Sequence, residues 1–437
     1  MSTIDEILAG YARLQADQEA FYKDLHQHPE LSHAEHRTAQ RVASHLRASG
    51  FTVHDGIGGT GVAGVLSNGD GPAVLLRCEL DALPVREDTG APYASTATGT
   101  DADGHQVPAA HACGHDMHMS CMLGMARLMA DHRDRWHGTL IPLFQPAEET
   151  GEGAQEMVDD GLFDKIPVPD VALAQHVLPG IAGTVSTRPG PFMSAADSFK
   201  ITVYGRGGHG SMPQHTIDPV VMAAMIIVRL QAVVSREIAP SETAVLTVGS
   251  CRAGTRSNVI PDRAVLELSI RSYSAVTRQR MLDAIQRIVS AECQASGSPR
   301  EPEFETTFSF PVTSNDPDVT ARTAKAFAEH FGDNALEIPV QTVSEDFSKI
   351  PDAVGVPYTY WAIGFTDRQA YLAAEKSGHL DDLPTNHSPK FLPPVEPTLR
   401  TGTEALTAAA LAWLDKAAAV GPLQRRSAGG AVDVHVA

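Results

Sequence analysis

Positive charge is scarce in this chain: across 437 residues, 34 Lys and Arg face 53 Asp and Glu, a formal net charge of −19 with histidine neutral. Polyphosphate binding rests on Lys and Arg neutralisation, so the balance argues against a general binder of nucleic acid or anionic membrane. Also missing is any run of about 18 apolar residues, the length a membrane-spanning helix needs. Residues 1–24 read as an acidic, amphipathic helical pattern and not as a basic segment followed by an apolar stretch, so neither a span nor an export signal is expected and the chain reads as cytoplasmic. Cysteine is sparse too. The five, Cys78, Cys113, Cys121, Cys251 and Cys293, are odd in number and follow no framework spacing, which fits reduced thiols and excludes a disulfide scaffold. What the chain does have is apolar material for a full core, at 43% hydrophobic and 20% charged, and a length beyond what one core usually holds. Two domains are the expectation. Histidine is plentiful at 19, but its meaning depends on the company each ring keeps.

Helical spacing of Ile7, Leu8, Tyr11 and Leu14, then of Val42 and Leu46, predicts two helices around a turn at His28-Pro29. Short apolar runs at 62–66, 73–76, 139–144 and 171–174, with a helical stretch at 119–130, predict alternating strands and helices. The implied class is α/β with a largely parallel sheet. After Gly190-Pro191 the order becomes strand 198–204, helix 217–236, strands 243–250 and 264–272, helix 276–296 and strand 303–310. That is the β-α-β-β-α-β order of a ferredoxin-like unit. The α/β style then resumes with helix 320–331, strand 358–363 and helix 399–419. Residues 1–190 and 311–420 are therefore read as one discontinuous domain, 191–310 as an inserted domain, and 421–437, with its Gly-Gly and small polar residues, as a tail.

The densest chemistry is His111-Ala112-Cys113-Gly114-His115-Asp116-Met117-His118, directly before a helix. A thiol and an imidazole two residues apart at a strand-to-helix loop suit one transition-metal site, with Asp116 or Asp81 available to orient a ring nitrogen. Taken alone, the block is equally a buried small residue beside helix-capping histidines. Gln145-Pro146-Ala147-Glu148-Glu149 ends a buried strand. Adjacent residues there point to opposite sides, so Glu149 can face a metal while Glu148 faces the substrate water. His176 ends another apolar strand, in Ala174-Gln175-His176-Val177, and His387 lies in a late loop, Thr385-Asn386-His387-Ser388-Pro389. Open α/β sheets gather active sites from the carboxyl ends of several strands.

With these elements in order, the sequence resembles the metal-dependent amidohydrolases of the M20 peptidase clan, in the branch of hippurate hydrolases, indole-acetyl-amino-acid hydrolases and N-acyl-amino-acid amidohydrolases. The resemblance runs to about residue 415. It rests on Asp24 to Leu31, Glu79 to Pro84, His111 to His118, Gln145 to Glu149, Gly207-Gly208-His209-Gly210-Ser211, Asn258-Val259-Ile260-Pro261-Asp262, Ser344-Glu345-Asp346-Phe347 and His387-Ser388-Pro389. It implies a two-metal centre of Cys113, His115, Glu149, His176 and His387, with Cys113 bridging and the ions Mn, Zn, Co or Ni. It implies Glu148 as general base, Asp81 as an orienting carboxylate, His209 of the inserted domain at the oxyanion, and Asn258 and Arg271 on the substrate carboxylate. It also implies a homodimer or higher homo-oligomer, with part of the apolar 220–230 helix as its surface. Two departures, Glu79-Leu80-Asp81 at the acidic signature and Gln214 where a histidine is frequent, remove no implied ligand or base.

The function so implied is hydrolysis of the amide bond of a small N-acyl amino acid. Two rivals stand beside it: a dipeptidase or aminopeptidase of the same clan, which needs an acidic anchor for a free amine, and a non-catalytic metal-dependent binding protein, which has no need of Glu148.

Overall fold

A computed structural model of the protein describes residues 2–416; the expected tail at 421–437 lies outside them. The backbone separates into two compact units. The first runs through Gly190, then Ser314–Pro339, then from Asp346 onward, and the second comprises Pro191–Thr313 with Val340–Glu345. Residues 311–313 and 340–345, read from sequence as part of the first domain, thus cluster with the second.

The first unit is built on an eight-stranded mixed sheet. Four parallel strands form its middle: Gly138–Gln145, Ala73–Glu79, Val171–Ile181 and Tyr358–Thr366. They are the most apolar runs of the chain and are buried along nearly their whole length, as strands covered on both faces must be. Gly61–Asn68 and Thr52–Ile57 extend one side as antiparallel strands, and Val185–Thr187 and Ala335–Glu337 extend the other. The helices His115–Asp131 and Val395–Leu414 are buried almost all round. Three helices precede the first strand where sequence spacing predicts two, because Ala9-Gly10 breaks the pattern between Thr3–Leu8 and Tyr11–Gln27. The strand Thr52–Ile57 was not expected, since its His54, Asp55 and Gly56 carry no apolar alternation.

In the second unit, Ala195–Tyr204, Ala244–Ala253, Arg263–Ser272 and Glu303–Phe310 form one antiparallel sheet. Numbered within the unit, their spatial order is 2-3-1-4, and the helices Pro219–Ala232 and Ala275–Ala295 intervene as the ferredoxin-like reading requires. Pro219–Ala232 begins with an Asp218 side-chain cap on Val220 N and Pro at its first position. It buries Met222, Ala223, Ile226 and Leu230 and leaves Val221 and Val228 59% and 66% exposed. With its π-helical extension to Glu237, the stretch is long and apolar enough by composition to cross a membrane, with a mean hydropathy of 1.6. Its buried face, however, belongs to the apolar core that the unit's strands share.

Candidate metal centre and amide-hydrolysis site

The carboxyl ends of the central strands and the loops beyond them bring seven of the expected residues together within the first unit. Cys113 and His115 flank Gly114, whose φ of +87° is left-handed. A Cβ there would lie 2.4 Å from Val177 Cγ2, so only glycine lets the thiol and the imidazole turn toward one point. Cys113 Sγ lies 3.5 Å from His176 Nε2. The donor atoms of Cys113, His115 and His176 all fall within 4.8 Å of one another, and so do those of Cys113, Glu149 and His387. Two triads of ligand-type atoms therefore share one thiol. His387 Nε2 stands 3.4 Å from Glu149 Oε2, and His115 Nε2 is 3.9 Å from Glu149 Oε1 and 4.0 Å from Glu148 Oε2.

Hydrogen bonds on the far side of each ring decide which histidines can offer a lone pair. His115 Nδ1 donates to Asp81 O at 2.8 Å and His176 Nδ1 to Val177 O at 2.8 Å. Each ring thus turns its Nε2 inward, the arrangement that metal-ligating histidines use, with a lone pair to offer there once the ring is neutral. His115 Nε2 is buried and has no hydrogen-bond partner. His118 is different. Its Nε2 accepts from Val177 N at 2.9 Å and its Nδ1 donates to Glu79 at 2.6 Å, so both nitrogens are spent and the ring supports the strand ends instead. His111 is fully buried with neither nitrogen hydrogen-bonded, and burial pushes it down to about 4, which keeps it neutral.

Electrostatics at the centre call for positive charge. Burial opposes protonation of His115, yet the carboxylates of Asp81, Glu79 and Glu149 outweigh it and lift the ring to about 10. Burial, with Glu149 and Glu148 adding to it, pushes the Cys113 thiol well above its ordinary range. Burial and the neighbouring His118 hold His176 well below its ordinary value. A set of sulfur, nitrogen and oxygen donors, mostly buried but with His387 exposed and with excess negative charge, is what a borderline-soft divalent cation fits, since it supplies the missing charge and lets the thiol ionise.

Buried carboxylates hold the loop that carries Glu148 and Glu149. Asp81, 1% exposed, accepts from Glu149 N at 3.0 Å and from Ser32 Oγ at 2.7 Å while its Oδ1 lies 3.3 Å from His115 Nδ1. Glu35, fully buried, accepts from Ala147 N at 2.9 Å and from Thr60 Oγ1 at 2.7 Å. Ala147 itself has a left-handed φ of +48°, strained for a residue with a side chain. Asn386 donates to Val177 O at 3.0 Å and to Cys113 O at 3.3 Å, tying the loop of His387 to the other ligands. Sequence reasoning gave no role to Glu35, Glu79 or Asn386, although each falls within or beside a stretch that matches the family.

The remaining expected residues lie in the second unit. A short antiparallel ladder, Gly208↔Ile260 and His209↔Val259, brings His209 beside Asn258, whose carbonyl accepts from Gly210 N at 2.9 Å. His209 is exposed, and its Nδ1 accepts from Ser211 N at 3.1 Å. Arg271 is half-buried on the Arg263–Ser272 strand, where its guanidinium donates to Ser344 Oγ at 2.5 Å.

The model of the peptidase family M20/M25/M40 matches residues 75–410. An N-acetyl-L-cysteine deacetylase of Bacillus subtilis is 38% identical over 283 residues, 64% of this chain and 63% of that protein. The thermostable carboxypeptidase 1 of Saccharolobus solfataricus is 34% identical over 84% of this chain and 88% of its own. A hippurate hydrolase of Campylobacter jejuni is 36% identical over 79% and 87% respectively. Among solved structures, the Bacillus subtilis YXEP protein, described as a dinuclear metal-binding peptidase of the M20 family, superposes with a TM-score of 0.72. It is 26% identical and covers 92% of this chain and 98% of its own. With more than two thirds of the chain matched and the ligand-type residues gathered at the sheet's carboxyl ends, the protein belongs to the peptidase family M20/M25/M40.

Proposed function

We propose that this protein hydrolyses the amide bond of small N-acyl amino acids, releasing a carboxylate and a free amino acid, with two divalent metal ions as cofactors. The observation that carries the proposal is the pair of donor triads sharing Cys113, with Glu148 beside them. Cys113, His115, Glu149, His176 and His387 would hold the ions, and Mn, Zn, Co or Ni each suits such donors. Bound there, the cations supply Lewis acidity to the scissile carbonyl and to the attacking water.

Around them, the side chains divide the work. Glu148 takes a proton from the water as its oxygen bonds to the carbonyl carbon, then delivers that proton to the nitrogen as the C–N bond breaks. Asp81 keeps His115 in one tautomer. His209 serves the oxyanion, which carries charge only in the transition state. Asn258 and Arg271 take the substrate carboxylate, for which a guanidinium offers two parallel donors. A cytoplasmic setting suits the centre, because all five cysteines are free and Cys113 must stay reduced to act.

Two of the relatives are named for the deacetylation of N-acetyl-L-cysteine and the hydrolysis of hippurate, and one is named a carboxypeptidase. The deciding experiment is amine release from N-acetyl and N-benzoyl amino acids and from unblocked dipeptides, with chelator-stripped protein before and after Mn²⁺, Zn²⁺ or Co²⁺ is restored. Metal-restored cleavage of the blocked amino acids is expected. Cleavage of free dipeptides alone would move the protein to a peptidase role, and silence on all substrates with metal bound would overturn the proposal.

The second unit supports a homodimer. Val220, Val221, Met225 and Val228 form an exposed apolar face on one helix, and the edge strand Ala244–Ala253 exposes Val245. Open sheet edges and apolar patches of this kind call for a cover. Light scattering is expected to give twice the chain mass for the native protein, and the chain mass for Val221→Glu/Val228→Glu. A monomeric native protein would refute it.

A further inference from the structure

Glu148 and Glu149 sit on a loop between the strand Gly138–Gln145 and the helix Gly153–Asp159. The loop's two ends nearly touch, since a Cβ on Gly153 would lie 1.7 Å from Pro146 O. One buried carboxylate grips both ends. Asp346 Oδ1 accepts from Gln145 Nε2 at 2.7 Å, on the last residue before the loop, and Asp346 Oδ2 accepts from Ala154 N at 3.0 Å, just after it. Arg77 completes the arrangement from the neighbouring strand, donating to Asp346 Oδ1 at 3.1 Å and to Gln145 Oε1 at 2.8 Å. Three residues beyond Asp346, Lys349 Nζ donates to Gly151 O at 2.7 Å, inside the loop. Arg77, Gln145 and Asp346 are all fully buried. Arg77 therefore faces little competition from water for these partners.

We propose that Asp346 is a positioning residue for hydrolysis, acting as a clamp that sets the place of Glu148 and Glu149 by holding the two ends of their loop. The proposal rests on the assignment of Glu148 as the base. A buried Arg–Asp pair could serve stability alone, but here the carboxylate's two oxygens also accept from opposite ends of one loop. The loop also carries the strained Ala147 and needs outside contacts to stay so. Asp346 never touches substrate; what it controls is the direction in which the base points, and misplacement by about 1 Å costs about 100-fold in rate.

The test compares Asp346→Asn and Gln145→Met with the native holoenzyme. Asparagine keeps the shape but turns an N–H₂ toward either Gln145 Nε2 or Ala154 N, donor against donor; methionine removes the other anchor. Turnover is expected to fall about 10- to 100-fold, with KM changed by less than about threefold and metal content unchanged. Hydrogen exchange of amides 147–154 is expected to quicken about tenfold or more, with the Val171–Ile181 strand unaffected. If Asp346→Asn does not fold, Gln145→Met decides by the same readings. Native-like turnover with native-like loop exchange overturns the proposal, as does a loss of rate explained by lost metal or by KM. Should native enzyme fail on every N-acyl amino acid while loop exchange still quickens in the variants, the reaction assignment falls and the clamp on the loop stands.

Discussion

Replacing Glu148 by glutamine is expected to abolish nearly all turnover while both metal ions stay bound. Glutamine keeps the size and one acceptor oxygen of the carboxylate but cannot take up a proton, so it removes the base and little else. General acid–base catalysis by a placed side chain contributes about 10²- to 10⁴-fold. Because in the proposed mechanism this one group both accepts the proton from water and returns it to the amine, the loss is expected near the upper end of that range. Metal content should not change, since the five ligands proposed, Cys113, His115, Glu149, His176 and His387, do not include Glu148. Elemental analysis beside steady-state kinetics on one preparation reads both at once. A Glu148→Gln enzyme with native turnover would refute the assigned mechanism.

Cys113→Ala should act through the opposite channel, by emptying the centre. The thiol is common to both donor triads, so on the proposed assignment its removal takes a ligand from each ion together. In the metal-free protein burial holds the thiol protonated; a cation must displace that proton to bind, which makes affinity fall as pH falls. The variant is expected to bind less than half the native metal at equal free concentration and to lose activity in step. His387→Ala, which touches only one triad, should leave the other ion in place. Equal metal content in Cys113→Ala and native protein would show that the thiol is not a ligand.

Much of this centre was legible because its donors cluster in the sequence. Cys113 and His115 are two residues apart at the start of a buried helix, and Glu148 and Glu149 are adjacent just beyond an apolar strand whose burial the structure shows. The supports were not legible as supports. Glu35 reaches Ala147 and Asp346 reaches Gln145 across 112 and 201 positions, and no local pattern says which backbone N–H a distant carboxylate will meet. Asp346 did lie in a stretch matching the family, so its presence was visible while its task was not. The strand Thr52–Ile57 escaped for another reason: at the sheet's edge, pairing on one side only, it needs no apolar alternation.

Assembly of the first unit has a consequence for synthesis. It is made of three separate stretches, and its strand Val171–Ile181 pairs with Tyr358–Thr366 across the whole of the inserted sheet. A nascent chain that has already made Cys113, His115, Glu149 and His176 still lacks His387 and the Val395–Leu414 helix. The four strands of the second unit, by contrast, all lie within residues 195–310 and can pair as they emerge. The second unit should therefore fold on the ribosome while the first waits, with Val171–Ile181 still lacking its Tyr358–Thr366 partner and its open edge in need of protection from aggregation. Loading of a complete metal pair is then an event of the released chain, and the enzyme's maturation is set by how soon its last fifty or so described residues dock.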